Sequence, residues 1–215
     1  MGSVLSCRRL RHRLRPYPRW SNCSSASPHG KYPIRKADLL ALSTLELLTA
    51  QHDTSQFSCG KPILDHWLRS RAHSNQEKGF TVVMVIHDGG RVVGYYGLAP
   101  TAIIPSTMPK SVKTGQPPNP VPCLLLGQLA IDEAWAGNGI GTGLLRHALI
   151  RSVVGARLIG GRALVVNALD KEAAEFWRRR GFLPSKDDPL TLFRPFPDIV
   201  ASLKAAGIKI PTIST

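Results

Sequence analysis

Leu124-Leu125-Leu126-Gly127-Gln128-Leu129-Ala130-Ile131-Asp132-Glu133-Ala134-Trp135-Ala136-Gly137-Asn138-Gly139-Ile140-Gly141-Thr142-Gly143-Leu144-Leu145 is an apolar strand that runs into alternating glycines and then into a helix. The glycines at 137, 139, 141 and 143 remove Cβ atoms, so successive backbone N–H groups converge on one anion. The helix start adds a partial positive charge worth ~0.3–1 kcal/mol to a nearby anion. Gly137, Asn138, Gly139, Ile140, Gly141, Thr142 and Gly143 therefore predict a backbone cradle for a pyrophosphate.

A nucleotide P-loop places a Lys directly after its glycines, and none follows here. A dinucleotide fingerprint needs an acid about ~20 residues on, where this chain has Gly160-Gly161-Arg162. The diphosphate of coenzyme A remains.

Outward from this stretch, a helix is predicted to about Leu158, stopped by Gly160-Gly161, with a buried-type strand over Arg162 to Ala168. Two strands joined through a helix must run parallel. Asp170 N-caps a helix that Gly181 ends, and Leu190 to Phe196 reads as a last strand. Upstream, Pro62 to Asn75 reads as one amphipathic helix. Phe80 to Ile86 and Arg91 to Ala99 are strands around an Asp88-Gly89-Gly90 hairpin turn. Six prolines between 105 and 122 keep the connection to the central strand extended. The expected fold is a mixed α/β (α+β) domain with a central mixed, twisted sheet flanked by helices.

Asp170-Lys171-Glu172-Ala173-Ala174-Glu175-Phe176-Trp177-Arg178-Arg179-Arg180-Gly181-Phe182 resembles the late motif of the GNAT N-acetyltransferases, and Ala136-Gly137-Asn138-Gly139-Ile140-Gly141 resembles their Q/R-x-x-G-x-G/A signature. The resemblance implies acetyl-CoA as cosubstrate and no metal. It also implies contacts from Leu129, Ala130 and Ile131 to the pantetheine and thioester, with Asp170 and Phe176 near the coenzyme. Two positions depart from the pattern. Ala136 stands where Gln or Arg is usual. Trp177 stands where a Tyr commonly protonates the leaving group, and an indole N–H does not release a proton as an acid. Tyr95 and Tyr96 are the substitute candidates; on one strand they face opposite ways, so at most one reaches the site.

Leu48-Thr49-Ala50-Gln51-His52-Asp53, Leu64-Asp65-His66-Trp67-Leu68, Gly94-Tyr95-Tyr96-Gly97-Leu98-Ala99 and Asp188-Pro189-Leu190-Thr191-Leu192-Phe193 extend the resemblance to the GNAT toxins of bacterial toxin–antitoxin modules. That resemblance implies acetylation of the α-amine of aminoacyl-tRNA, a block of translation, a ribbon-helix-helix antitoxin as partner and a cytoplasmic location. Arg178, Arg179, Arg180, Lys78 and Arg146 are candidate phosphate contacts, with solvated helix faces as the plainer reading. A GNAT enzyme of protein N-termini or small amines and an inactive GNAT-fold binding module remain alternatives, and formation of a homodimer stays open.

The formal charge of +14 is uneven. Residues 1–36 hold nine Lys/Arg and no acid, whereas the rest carries 19 basic and 14 acidic side chains. Residues 1–42 read as a disordered basic extension, 43–200 as the acetyltransferase domain and 201–215 as a C-terminal tail. The extension's composition is shared with organelle transit peptides, and Met1-Gly2-Ser3-Val4-Leu5-Ser6 fits a myristoylation pattern; both would need a eukaryotic host. The four cysteines form no C-x-x-C pair, against a zinc site or disulfide framework, and no apolar run suggests a membrane span.

Overall fold

Gly89 and Gly90 take φ of 54° and 93°, the left-handed values that a tight two-residue reversal demands. Val82–Asp88 (β2) accordingly turns back as Arg91–Ile103 (β3), with Asp88 paired to Arg91. A computed structural model describes Leu39 and residues 41–212; the expected basic extension lies almost wholly outside them.

β3 pairs antiparallel with Val121–Ile131 (β4), and β4 pairs parallel with Ala163–Asn167 (β5) across the helix Ile140–Ile159 (α3). Glu46–Leu47 (β1), Leu183–Pro184 (β6) and Thr191–Pro195 (β7) complete a mixed sheet of order β1-β2-β3-β4-β5-β7-β6. The other helices are Pro62–Ser70 (α1), Ala72–Glu77 (α2), Lys171–Arg178 (α4) and Phe196–Ala205 (α5).

Alternation along the strands divides the core. Leu124, Leu126, Leu164, Val166 and Leu192 face α3, α4 and α5, from which Leu144, Ala148, Trp177, Ile199 and Leu203 pack back. Their neighbours Cys123, Ala163, Val165 and Phe193 face the Pro-rich connection through Met108 and Val112. Further along the same face, Val83, Val85, Tyr95 and Ala130 meet Leu68 of α1 and Ala72 of α2. Gly94 lets α3 approach β3: a Cβ there would lie 2.6 Å from Ile131 Cδ1 and 3.0 Å from Leu144 Cδ1.

Two expectations change. The helix read over 62–75 is two helices, because Arg71 leaves the helical region at φ −123°, ψ −30°. The residues from 201 are not simply a tail. The last strand stops at Pro195, Pro197 sits comfortably in a first helical turn, and α5 carries the chain to Ala205. Ile199 and Leu203 are buried, and Ile208 and Ile210 also pack on the core. Phe196, Ile199, Val200 and Leu203 already stand at i, i+3, i+4 and i+7, the signal that the strand reading overlooked.

Candidate active site

β4 and β5 pair at Leu124–Leu164 and Leu125–Val165, with Arg162 N–H donating to the Pro122 carbonyl just before β5. Beyond that point β4 continues along β3 to Ile131, while β5 continues along β7 to Asn167. The strands therefore part in mid-sheet and leave a gap. The β3–β4 register skips Gly127, which falls between the Gly97–Gln128 and Leu98–Leu126 pairs. A bulge there bends the strand and re-aims its amides. It sits just where β4 leaves β5. Leu129 and Ile131 are half-buried beyond the bulge on the α3 face, and Ala130 is buried on the α1 face.

Asp132 ends β4 by accepting hydrogen bonds from the Ala134 and Ser58 amides, at 3.0 and 3.1 Å. A 3₁₀ turn, Glu133–Trp135, leads into the glycine loop. Gly137 and Gly139 both have φ of 80°, and Gly139 is the N-cap of α3. It has no side chain to cap with, and no acid lies in the first turn. Gly143 N–H bonds back to the Gly139 carbonyl at 3.1 Å. The amides of Ile140, Gly141 and Thr142 come before any i−4 helical partner. A Cβ on Gly137, Gly139 or Gly143 would meet nothing within 4 Å, so the cradle is bare on its outer side. An uncapped 20-residue helix opening onto free space beside a strand gap suits a long diphosphate ligand. Asn138 turns inward instead, donating to the Trp135 and Ala136 carbonyls at 3.2 and 3.1 Å.

α4 is the contrast. Its N-cap Asp170 accepts from Ala173 N–H at 2.7 Å and pairs with Lys61 Nζ at 2.9 Å. These two contacts, the amide first, hold its carboxyl below the usual carboxylate range. Asp170, expected near the coenzyme, thus has its oxygens engaged by its own helix and by Lys61. Lys61 escaped the sequence reading because its partner lies 109 residues away.

Trp177 is 9% exposed and packs edge-on against Phe176 and Phe182, at centroid separations of 5.0 and 5.1 Å. Tyr95 and Tyr96 do face opposite ways, and both are wholly buried. Tyr95 OH donates to the Leu64 carbonyl of α1 at 2.8 Å, and its ring lies parallel to Trp67. Tyr96 OH lies 2.7 Å from His147 Nδ1 on α3. Burial pushes both phenols above their ordinary pKa, and burial with Arg151 lowers that of His147. In this structure the two hydroxyls tie helices to the sheet. In Tyr96→Phe we expect a stability loss of about 1 kcal/mol in denaturant melts. Its kcat should remain near the parent's, whereas loss of a general acid would cost about 10²–10⁴-fold.

Among the other predicted residues, Phe176 is half-buried beneath the Arg180 guanidinium, which lies 3.4 Å from its ring centroid. Arg180 Nη1 also donates to the Phe176 carbonyl at 3.0 Å, so its side chain folds back on α4. Arg178 stands 3.8 Å from Glu175, whereas Arg179, Lys78 and Arg146 are exposed. Arg146 and His147 line a cavity of about 260 Å³ with Leu45, Ile86 and Ile140.

Glu46, His52 and His87 are the one group among the described residues with metal-ligand spacing, their ligand atoms within 4.8 Å of one another. Both histidine Nε2 atoms reach Glu46 Oε1, at 2.9 and 3.0 Å. Each Nδ1 accepts a backbone N–H, from Thr49 at 2.9 Å and Gly90 at 3.0 Å. That places the ring proton on Nε2 in both. A metal on Nε2 would require the Nδ1–H tautomer, turning two donors against two donors. The cluster works as a hydrogen-bonded staple of β1 to the hairpin. Cys59 has its thiol pushed up to about 12, chiefly by burial and then by Asp65, and burial also raises Cys123. Neither supplies a thiolate at neutral pH.

Residues 79–184 match the acetyltransferase (GNAT) domain family. The chain is 42% identical over 140 residues to a tRNA-acetylating toxin of Mycobacterium tuberculosis, covering 65% of this chain and 84% of that protein. Among solved structures it is similar to AtaT complexed with acetyl-methionyl-tRNAfMet, at 28% identity and a TM-score of 0.68, covering 74% of this chain and 98% of that one. It is also similar to a mutant AtaT toxin bound to the C-terminus of the antitoxin AtaR and acetyl-CoA, at 26% identity and a TM-score of 0.64, covering 76% and 98%.

Proposed function

Because the chain belongs to the GNAT acetyltransferase domain family, we propose that it acetylates the α-amine of the amino acid carried by a charged tRNA and so acts as a toxin that blocks translation. The observation that carries this reading is the uncapped glycine start of α3 beside the β4–β5 gap, in a chain 42% identical to a tRNA-acetylating toxin. An antitoxin partner follows from the likeness to AtaT bound to AtaR, and the resemblance makes it a ribbon-helix-helix protein. A charged tRNA substrate is consistent with the cytoplasmic location that the resemblance implies. No helix among the described residues is long and apolar enough to cross a membrane.

Acetyl-CoA supplies the acetyl group already activated as a thioester. The chain's part is mainly positional. The amides of Ile140, Gly141 and Thr142 hold the diphosphate, and the unpaired edge of β4 around Gly127 to Ile131 holds the pantetheine arm and offers an N–H to the carbonyl oxygen. An α-amine of pKa about 7.7–8.0 is partly neutral at pH 7, so no strong base is needed. Cys59 and Cys123 stay protonated, which favours direct transfer over an acyl-enzyme. With both tyrosine hydroxyls engaged and Trp177 unable to ionise as an acid, water balances the protons. Orientation supplies about 7–11 kcal/mol, more than the ~10²–10⁴-fold that a general acid adds.

The test is mass spectrometry of tRNA-bound amino acids after incubation of a charged tRNA pool with the protein and acetyl-CoA. N-acetylated aminoacyl-tRNA is the expected product. Acetylation of free amines or peptide N-termini with charged tRNA untouched would overturn the reading.

A further inference from the structure

The loop 57–61 is stitched to the end of β4: Ser58 N–H donates to Asp132, and Glu133 N–H donates to the Ser58 carbonyl at 2.8 Å. Gly60 lies so near that a Cβ would come within 2.5 Å of the Glu133 carboxylate. From this platform on β4, Lys61 reaches Asp170, which follows β5 by three residues. Since β4 and β5 have already parted, the Lys61–Asp170 pair spans the mouth of the gap between them. The pair is open to water, with side chains 48% and 40% exposed. Exposed pairs of this kind hold weakly and exchange partners readily. Two large apolar side chains, Ile63 and Leu169, are exposed at 65% and 43% within two residues of it. A cation held loosely at a cleft mouth suits a backbone phosphate of a nucleic acid.

We propose that Lys61 is a substrate-positioning residue that leaves Asp170 for a backbone phosphate near the 3′ end of the acceptor strand, so that Asp170 holds Lys61 in place and competes with tRNA for it. This rests on charged tRNA being the acceptor. Opposite signs follow for the two partners. Lys61→Ala removes the phosphate contact. Asp170→Asn keeps an N-cap of equal quality but frees Lys61.

The experiment is steady-state acetylation of charged tRNA over a range of salt concentrations, with KM for tRNA and for acetyl-CoA read separately. Lys61→Ala should raise the tRNA KM about three- to tenfold and flatten its log–log salt slope by about one. Lys61→Arg should restore both. Asp170→Asn should lower the tRNA KM. Equal KM changes in Lys61→Ala and Asp170→Asn, tracking a loss of melting temperature, would make the pair purely structural and overturn the proposal. A rise in the acetyl-CoA KM instead would assign Lys61 to the coenzyme, with the same result. If the parent protein acetylates no charged tRNA, the functional reading fails first, and the parent reaction alone shows that.

Discussion

Gly141→Asp should abolish most acetyl-CoA binding while leaving the protein folded. A Cβ at 141 meets only Ile131 Cγ1, at the ordinary distance of 3.5 Å, and the backbone is helical, so a side chain is tolerated there. A carboxylate in the first turn even favours the helix, by about 0.3–1 kcal/mol. The same charge opposes a diphosphate in the cradle. At an effective dielectric of about 20, like charges ~8 Å apart repel by about 2 kcal/mol and at ~4 Å by about 4 kcal/mol. Affinity should therefore fall between about thirty-fold and about a thousand-fold. Calorimetric titration with acetyl-CoA reads this, with the uncharged Gly141→Asn as the steric control and a thermal melt as the folding control. Equal affinities for the Asp and Asn variants would show that no anion sits at this helix start.

Trp177 should prove indispensable to the fold and dispensable to the proton balance. It lies between Phe176 and Phe182 and fastens α4 to the sheet through the cluster containing Val166 and Leu192. Truncation of a buried Trp to Ala costs about 3–5 kcal/mol. For a chain of this size each kcal/mol lowers Tm by about 2–4 °C, so Trp177→Ala should melt at least about 6 °C earlier. Trp177→Phe keeps an apolar ring in place and should retain kcat to within an order of magnitude. If the indole N–H donated a hydrogen bond needed in the transition state, Trp177→Phe would instead lose about 10²–10³-fold in kcat. Stopped-assay kinetics beside melts of both variants separate the outcomes.

The glycine loop was legible because its constraints are local. Positive φ at Gly137 and Gly139 and an uncapped start of α3 follow from residues within two helical turns. The parallel β4–β5 pairing was legible too, since a strand–helix–strand crossover leaves little choice. Gly127 stood in plain view, but its role as a bulge is defined by β3, about thirty residues upstream, so no local pattern marks it. α5 is a different case: its apolar spacing at 196, 199, 200 and 203 is readable in the sequence.

For Tyr95 and Tyr96 the two levels divide cleanly. Strand alternation alone sends them to opposite faces, as found. That Tyr95 meets the Leu64 carbonyl and Tyr96 meets His147 depends on helices 31 and 51 residues away. Lys61 and Asp170 are farther apart still. By itself the sequence determined most of the elements, their periodicity and the glycine-rich helix start, because backbone dihedrals and side-chain alternation act over a few residues. The tertiary structure alone decided which polar groups are already engaged and which face the gap. That choice belongs to packing, where a donor's partner is whatever the fold brings within three ångströms of it.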